Sequence, residues 1–166
     1  MLSRTSRYAL LAAIVLAQRP TEWMTARDLA LVTAIPANYL TKILHTMARA
    51  RVLRSQRGRD GGFRLARPPE RVTLAEIVSL FEEPHFLSYC LLGTEACPAD
   101  RPCIAHDRWL AVVEAVSRFL DETTLADIAR AADGGPVGPL GVLVPSSGAW
   151  ERTVGGEQGV RDESFS

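Results

Sequence analysis

Three cysteines and a histidine fall within seventeen consecutive residues of this 166-residue chain, in the stretch CLLGTEACPADRPCIAH. Cys90, Cys97 and Cys103 are the only cysteines present, and His106 follows Cys103 after two intervening residues. Thiolate and imidazole bind soft and borderline metal ions, and a glycine and two prolines between the thiols would let the segment wrap around one. Three thiolates and one imidazole suit either tetrahedral zinc or an iron–sulfur cluster.

Other interpretations of this segment remain open from the residues alone. The spacing does not separate zinc from a cluster, although the lack of a thiol pair two residues apart counts against a zinc knuckle. Glu95, Asp100 or Asp107 could supply a fourth ligand, and His106 would then be an ordinary histidine at a helix start. The thiols could also form a disulfide with one left over, or be simply small side chains.

The charge of the chain is unevenly distributed, although its formal total is zero. Residues 1–71 hold 13 Lys and Arg against 4 Asp and Glu, a net charge of +9. Residues 72–166 hold 6 against 15, a net charge of −9. This asymmetry favours a nucleic-acid-binding half joined to a half that does not touch nucleic acid. Almost all of the positive charge is arginine, since Lys42 is the only lysine of the chain.

The first twenty residues, MLSRTSRYALLAAIVLAQRP, have the arginines and the apolar run of a signal peptide. The run is too short to span a bilayer, and its apolar residues follow the pattern of an amphipathic helix. We therefore expect a cytoplasmic protein with no membrane partner. A reducing compartment disfavours a structural disulfide, which leaves metal or redox chemistry for the cysteines.

Three helices are predicted in the basic half, the first from about Arg4 to Ala17. Thr25 and Asp28 have the spacing of a capping box at the start of the second helix, ARDLALVTA. Pro36 lies near the start of the third, which runs to about Ala50. Its predicted buried face is Leu40, Ile43, Leu44 and Met47, and its open face is Asn38, Tyr39, Thr41, Lys42, His45 and Arg49.

Two short helices with a tight turn, the second polar and basic on its open face, describe a helix-turn-helix. A hairpin is predicted next, with strands at 52–56 and 63–66 and a glycine-rich turn that carries Arg57 and Arg59. A basic hairpin in this place is a wing, although an ordinary surface hairpin is the alternative. The predicted DNA-binding residues are Thr25, Asn38, Tyr39, Thr41, Lys42, Arg57 and Arg59.

The acidic half is predicted to hold a helix at TLAEIVSLFEE, capped by Thr73, and a long helix at IAHDRWLAVVEAVSRFLDE. The apolar positions of the long helix are too many for a small domain to cover alone. We therefore expect the helix either to form a two-fold dimer contact or to pack on the first helix. A short helix, TTLADIARAA, follows. The apolar positions of the long helix are Trp109, Val112, Val113, Val116, Phe119 and Leu120.

The fold class expected from these elements is mainly α with a small β-wing, a winged helix-turn-helix followed by a long dimerisation helix. Residues 1–71 would form the DNA-binding region, and residues 72–132 the cysteine loop and dimerisation helix. Residues 133–166 contain 8 Gly and 3 Pro and are expected to be a disordered tail.

Five stretches together resemble the IscR/NsrR/RirA family of winged-helix regulators, the Rrf-two type, over roughly residues 1–132. They are SRYALLAAIVLA, IPANYLTKIL, RGRDGGFRLARPPERVTLAEIV, CLLGTEACPADRPCIAHDRW and TTLADIA. The resemblance implies a homodimer whose long helix crosses its partner. It also implies an iron–sulfur cluster, with 2Fe–2S favoured over 4Fe–4S, that controls binding to double-stranded operator DNA.

The resemblance further assigns the cluster ligands. Cys90, Cys97 and Cys103 match the family's cluster thiolates, and His106 falls where IscR-like members place a histidine ligand. NsrR-like members can use an N-terminal carboxylate instead, but no carboxylate precedes Glu22 here. In the recognition helix, IscR-like members have glutamate and glutamine where this chain has Thr41 and Lys42, so the IscR operator sequence is not transferable.

These observations lead to one principal hypothesis and two rivals. The principal hypothesis is a cluster-sensing transcriptional regulator, a repressor, that responds to redox state, nitric oxide or iron status. The first rival keeps DNA binding but makes the cysteine segment a zinc site or a thiol switch. The second is an enzyme with a reactive cysteine, which the sequence disfavours because it has no nucleophile motif, phosphate-binding loop or HExxH zinc motif. No small-molecule substrate is expected.

Overall fold

A computed structural model describes residues 2–83 and 104–133 of the chain. Nine elements follow one another in the described residues. They are α1 Arg4–Gln18, α2 Ala26–Thr33, α3 Ala37–Arg49, β1 Leu53–Gln56, β2 Gly62–Leu65, a 3-10 turn at Pro69–Arg71, α4 Leu74–Val78, α5 His106–Glu122 and α6 Leu125–Asp133. The three cysteines and the predicted tail beyond residue 133 lie outside the described residues.

Helix α1 is rich in alanine, the best helix former, and the Ser3 side chain caps it by accepting a hydrogen bond from the Ser6 backbone N–H. Small side chains on its buried face let neighbouring helices approach closely. Helices α3, α4 and α6 all pack against it. Helix α1 is therefore the central element of the fold, and its predicted extent is confirmed to within one residue.

Helices α2 and α3 form the predicted helix-turn-helix. Thr25 and Asp28 complete a capping box at the start of α2. The helix ends at Thr33, and the residue that follows, Ala34, has a φ of 57° in the left-handed region. Pro36 directly precedes α3. All four predicted apolar positions of α3 are buried, and they hold the helix against α1 and α2.

Strands β1 and β2 form an antiparallel hairpin that pairs Leu53 with Leu65 and Gln56 with Gly62. Phe63 also pairs with Met24, just before α2: the two residues exchange backbone hydrogen bonds of 2.8 and 3.0 Å. The wing is therefore attached to the helix-turn-helix at two points. Strand β1 follows α3 along the chain, and Phe63 of β2 pairs with Met24 just before α2. The winged-helix fold class predicted from the sequence is confirmed.

Helix α4 is shorter than the predicted helix TLAEIVSLFEE, although Thr73 caps it as expected. It ends at Val78, and the chain continues in tight turns in which the N–H groups of Leu80 and Phe81 donate to carbonyls three residues back. After these turns the Glu82 carboxylate lies at the start of α1, where it accepts hydrogen bonds from Ser3 and Ser6.

Helices α5 and α6 are tied to the segment after the wing. The Leu74 N–H donates to the Thr123 carbonyl at 3.0 Å, and the Leu125 N–H donates to the Val72 carbonyl at 2.9 Å. Helix α6 packs on α1, and α5 packs on α4. Apolar side chains from both halves of the chain share one core, which extends from Ala9 to Ala129. The predicted boundary at residue 71 therefore separates two predicted roles, while the hydrophobic core is shared by both halves.

Within residues 2–83 and 104–133, no helix combines the length and the apolar character that crossing a membrane requires.

Candidate nucleic-acid interface

The open face of α3 is polar and cationic, as predicted. Asn38, Lys42, His45 and Arg49 lie on it with at least part of each side chain in solvent, and Thr41 is half-buried. Their spacing of three or four residues places them in one stripe along the helix, opposite the face that enters the core. A helix with such a stripe can fit the major groove of B-DNA and present donors to base edges and phosphates.

An open groove of about 690 Å³ runs between α3 and β1. It contains Thr41 and Lys42 from the predicted site and adds His45, Arg49 and Ser55. Two cations in one groove favour an anionic occupant such as a phosphate backbone. The groove is also lined by Thr46 and Ala48.

Phe63 contacts His45, one of the residues that line this groove. Its backbone pairs with Met24, and its ring lies edge-on to the imidazole of His45, with 5.3 Å between centroids. Edge-to-face aromatic pairs of this kind contribute about 0.5–1.5 kcal/mol beyond their buried area. One residue of the wing thus contacts both the recognition helix α3 and the start of α2.

The tip of the wing carries the two predicted arginines. Arg57 and Arg59 are exposed in the turn between β1 and β2, where the Gly61 N–H donates to the Gly58 carbonyl at 3.2 Å. Gly58 has a φ of 113°, a region that L side chains rarely adopt. The turn therefore exposes two guanidinium groups on a glycine-rich backbone that can lie against a phosphate or in a minor groove.

The wing has further cations behind its tip. Arg54 and Arg64 face each other across the two strands, an arrangement that destabilises a hairpin when it is uncompensated. The guanidinium of Arg64 lies over the Trp23 ring, 4.4 Å from its centroid, which provides a favourable cation–π contact. This contact helps the wing to keep a high positive charge density.

Thr25 acts in the structure as a helix cap. Its hydroxyl donates to Asp28 Oδ2 at 2.7 Å and accepts from the Asp28 N–H at 3.2 Å. The Thr25 backbone N–H also donates to Asp28 Oδ2, at 2.8 Å. These hydrogen bonds from the side chain and backbone of Thr25 lower the pKa of Asp28, with a smaller contribution from Arg27. A DNA contact by Thr25 remains a prediction and would have to compete with this cap.

Two further predicted contact residues already have partners within the protein. The Tyr39 hydroxyl lies 2.7 Å from the Thr5 hydroxyl, and its ring packs edge-on to Tyr8 at 5.5 Å between centroids. The Thr41 hydroxyl donates to the Ala37 carbonyl at 2.8 Å, within its own helix. Tyr39 is still 39% exposed, so part of its side chain remains accessible to solvent.

The structure brings some predicted residues together and leaves others apart. Thr41 and Lys42 share the groove, whereas Arg57 and Arg59 belong to the wing tip beyond it. His45 and Arg49 belong to the predicted open face but not to the predicted contacts, although they continue the stripe of Lys42 at the spacing of a helix. Ser55 has no sequence signal, because its place in the groove depends on how the hairpin packs against α3.

The predicted metal ligands are only partly within the described residues. Cys90, Cys97 and Cys103 lie outside them, and His106 is the first residue of α5, half-exposed. Among the residues that are described, no three metal-binding side chains are grouped closely enough to hold an ion. The ligand set therefore stays a prediction.

Helix α5 leaves three of its six predicted apolar positions exposed and two partly buried. Phe119 is 53% exposed and Val112 49%, and Leu120 is the buried apolar position of this helix. Val112, Val116 and Phe119 are spaced by four and three residues, so they form a continuous stripe. Packing on α1, the alternative considered from the sequence, does not cover this stripe. Leu110 adds a further exposed apolar side chain.

Comparisons with known proteins agree with this architecture. Residues 2–131 match the model of the Rrf2 family, described as an iron-dependent transcriptional regulator. A candidate HTH-type transcriptional regulator of Aquifex aeolicus is 34% identical over 128 residues, which are 76% of this chain and 89% of that protein.

Two solved structures have the same fold. The structure of CymR, the global cysteine regulator of B. subtilis, matches with a TM-score of 0.66 and 27% identity, covering 78% of this chain and 96% of that one. The structure of T. potens IscR matches with a TM-score of 0.63 and 23% identity, covering 80% and 88%. The second similarity concerns the fold alone.

Proposed function

Because the chain belongs to the Rrf2 family of helix-turn-helix transcriptional regulators, we propose that it is a dimeric repressor whose operator binding is controlled by an iron–sulfur cluster. The observation that carries the proposal is a cationic winged helix followed by a three-cysteine segment and an uncovered apolar helix. Acting on chromosomal DNA, the protein would work in the cytoplasm.

DNA recognition divides between α3 and the wing. Asn38, Lys42 and His45 would meet base edges and phosphates in the major groove. Arg57 and Arg59 would contact the backbone or the adjacent minor groove. The attachment of the wing to Met24 and α3 supports this division, since it holds the two contact surfaces in a fixed relation.

The apolar stripe of α5 would pack against the same helix of a second copy. Burial of a Phe or Val side chain contributes about 1.5–3 kcal/mol, so leaving Val112, Val116 and Phe119 in water would be costly. The hydrogen bonds at Leu74 and Leu125 tie the end of α5 to the segment after the wing. The dimer contact would therefore set the spacing of the two recognition helices, and hence of the two half-sites.

The donor set fits an iron–sulfur cluster in its chemistry. Three thiols can bind as thiolates, and His106 offers an imidazole from a half-exposed position at the start of α5. When bound, the cluster supplies a redox-active and labile group whose potential depends on its ligands and solvent exposure. The three cysteines and His106 would hold the cluster, and because His106 is the first residue of α5, a change in the bound cluster would alter the geometry of the dimer.

The experiment is anaerobic purification of the full chain with measurement of iron, acid-labile sulfide and zinc. We expect iron and sulfide in similar amounts and a coloured protein. A colourless protein without iron or sulfide, even after reconstitution, would contradict cluster binding. Zinc in its place, or a mass shift after peroxide treatment, would support the alternative regulator with a zinc site or thiol switch.

Two histidine variants test the fourth ligand. We expect H106A to lose iron faster than the wild type during gel filtration and to change the visible spectrum, because one ligand is removed. H85A is the control, as the chain's other histidine near the cysteines, and should keep both properties. Retention of iron and an unchanged spectrum in H106A would exclude His106 as the ligand.

Repression is tested with a duplex selected by the wild-type protein from a random library. The selected sequence is placed upstream of a reporter gene, and expression is compared with and without the protein. Lower expression in the presence of the protein is expected. Higher expression would identify an activator.

A further inference from the structure

The first two turns of α1 contact two distant parts of the chain. On one side, Ser3 and Ser6 bind the Glu82 carboxylate, which precedes the segment 84–103 that contains the cysteines. On the other side, Thr5 and Tyr8 contact Tyr39 of the recognition helix α3. The same short stretch of the chain therefore contacts both Glu82, two residues before the cysteine-containing segment in sequence, and Tyr39, a predicted DNA contact.

The contact with Glu82 consists of two hydrogen bonds to a charged acceptor and is partly removed from water. Glu82 accepts from the Ser3 backbone N–H at 2.6 Å and from the Ser6 hydroxyl at 2.5 Å, and Ser6 is fully buried. Burial by itself would raise the pKa of Glu82, but the hydrogen bonds from Ser6 and Ser3 outweigh it and lower the pKa. Hydrogen bonds to a charged acceptor are about twice as strong as neutral ones.

The contact with Tyr39 is equally direct. Its hydroxyl lies 2.7 Å from the Thr5 hydroxyl, and its ring meets the ring of Tyr8 at a right angle. Tyr39 is next to Asn38 and close to Lys42 on the open face of α3. A movement of the first turns of α1 would therefore reposition the start of the recognition helix.

We propose that Ser3, Ser6 and Glu82 form a clamp that couples the cysteine segment to the recognition helix through the first turns of α1, with Thr5 and Tyr8 passing the displacement to Tyr39. Glu82 is thus a positioning residue for DNA binding. Packed interiors transmit small displacements because they have little free volume, and α1 is closely packed along its alanine face. The control by the cysteine segment rests on the proposed function, whereas the mechanical link between Glu82 and Tyr39 does not.

The link is tested by a double-mutant cycle on DNA affinity with the full-length protein and the selected duplex. E82Q removes the charge of the clamp, and T5V removes the hydroxyl partner of Tyr39 while keeping the shape of the side chain. We expect each single variant to bind DNA about threefold to tenfold more weakly than the wild type. The affinity loss of the double variant should be smaller than the product of the two single losses, by about threefold or more. Losses that simply multiply would overturn the link.

D127N is the matched control for the clamp. Asp127 also accepts from a hydroxyl and a backbone N–H, those of Thr124, but it lies at the start of α6 and away from α3. D127N combined with T5V should give losses that multiply. S6A is the second clamp variant, because it keeps the Glu82 charge and removes only the hydroxyl that binds it. Combined with T5V, S6A should show a deviation from multiplied affinity losses in the same direction as E82Q, but a smaller one.

A readout without DNA keeps the proposal testable if the duplex selection fails. Amide hydrogen exchange of residues 37–42 should be faster in E82Q than in the wild type, and unchanged in D127N. Equal exchange in E82Q and the wild type would overturn the link, because the clamp would then have no effect on the start of α3.

Control by the sensor segment is tested last. The ratio of DNA affinities before and after removal of bound metal, with the removal verified by iron and zinc analysis, is measured for the wild type, E82Q and D127N. Allosteric couplings are typically about 5- to 150-fold. We expect this ratio to move towards one in E82Q and to stay at the wild-type value in D127N. A wild-type ratio of one would refute cluster control, but the mutant cycle would still decide the link. A wild-type-like ratio in E82Q would refute the role of the clamp alone.

Discussion

The imidazole of His45 lies edge-on to the ring of Phe63, with 5.3 Å between the two centroids and an interplanar angle of 79°. One ring belongs to the recognition helix and the other to the wing, so this contact joins the two elements beside the groove. Phe63 is buried, whereas the other side of His45 is exposed to solvent. His45 can therefore pack on the wing and reach DNA at the same time.

This arrangement predicts different effects for two substitutions at position 45. H45F keeps an aromatic ring against Phe63 and should change the free energy of unfolding by less than about 1 kcal/mol, but it removes the ring nitrogens and should weaken binding to the selected duplex about tenfold. H45A should lose both stability and affinity. Urea denaturation and fluorescence anisotropy measure the two quantities. Wild-type affinity in H45F would show that His45 has only a packing role.

The winged-helix architecture is predictable from the sequence because its local signals agree with one another. Thr25 and Asp28 have capping-box spacing, and the apolar positions of α3 repeat with the helical period. The early end of α4 is not predicted from the local pattern, and the residues after it make hydrogen bonds to the start of the chain, a contact that local pattern does not show. A second capping box, at Thr124 and Asp127, has the same local spacing as the first.

The candidate site is predictable in part for the same reason. Lys42 lies on a helix whose open face follows from its period, so its place on that face is foreseeable. The engagement of Tyr39 by Thr5 and of His45 by Phe63 depends on tertiary packing between elements far apart in sequence. No local pattern carries that information.

Gly62 is predicted to be sensitive to substitution, because the strand pairing that attaches the wing leaves no space for a side chain there. It has a φ of 147°, and a Cβ placed there would lie 2.5 Å from the Met24 carbonyl oxygen, inside the strand pairing that attaches the wing. G62A should therefore lower the free energy of unfolding by more than the roughly 1 kcal/mol expected for φ strain alone. G58A is the control, because Gly58 also has a positive φ but a Cβ placed there would have no atom within 4 Å. Equal losses in the two variants, by urea denaturation, would contradict the clash.

The wing arginines should contribute to affinity without contributing to sequence choice. R57A and R59A are each expected to weaken binding to all duplexes by a similar factor and to reduce the slope of log K against log salt by about one. R118A removes the same charge from the exposed face of α5 and should leave the slope unchanged. The measurement is a salt titration of anisotropy. A slope in R57A and R59A equal to that of R118A would exclude phosphate contacts by the wing.

The cap of α2 predicts a pH dependence of stability. Hydrogen bonds from Thr25 lower the pKa of Asp28 in the folded protein, so the folded state binds fewer protons than the unfolded state. The stabilisation is thus present above the unfolded pKa of about 3.9 and is lost as the pH falls through the lower folded value. D28N should be less stable than the wild type at pH 7, and the difference should shrink at about pH 3. A difference of the same size at both pH values, by urea denaturation, would contradict this role.

The exposed stripe of α5 predicts the behaviour of the protein in solution. F119E places a charge at the most exposed large side chain of the stripe Val112, Val116 and Phe119, and it should convert a dimer into a monomer in sedimentation experiments. L31E is the control, because Leu31 is 81% exposed but lies on α2, away from α5, and this variant should remain a dimer. Since each subunit would contribute one recognition helix, the F119E monomer should bind the two-half-site duplex at least about tenfold more weakly and a single half-site with nearly wild-type affinity. A wild-type chain that sediments as a monomer would contradict the dimer. An F119E variant that stays dimeric would show that the dimer contact lies elsewhere.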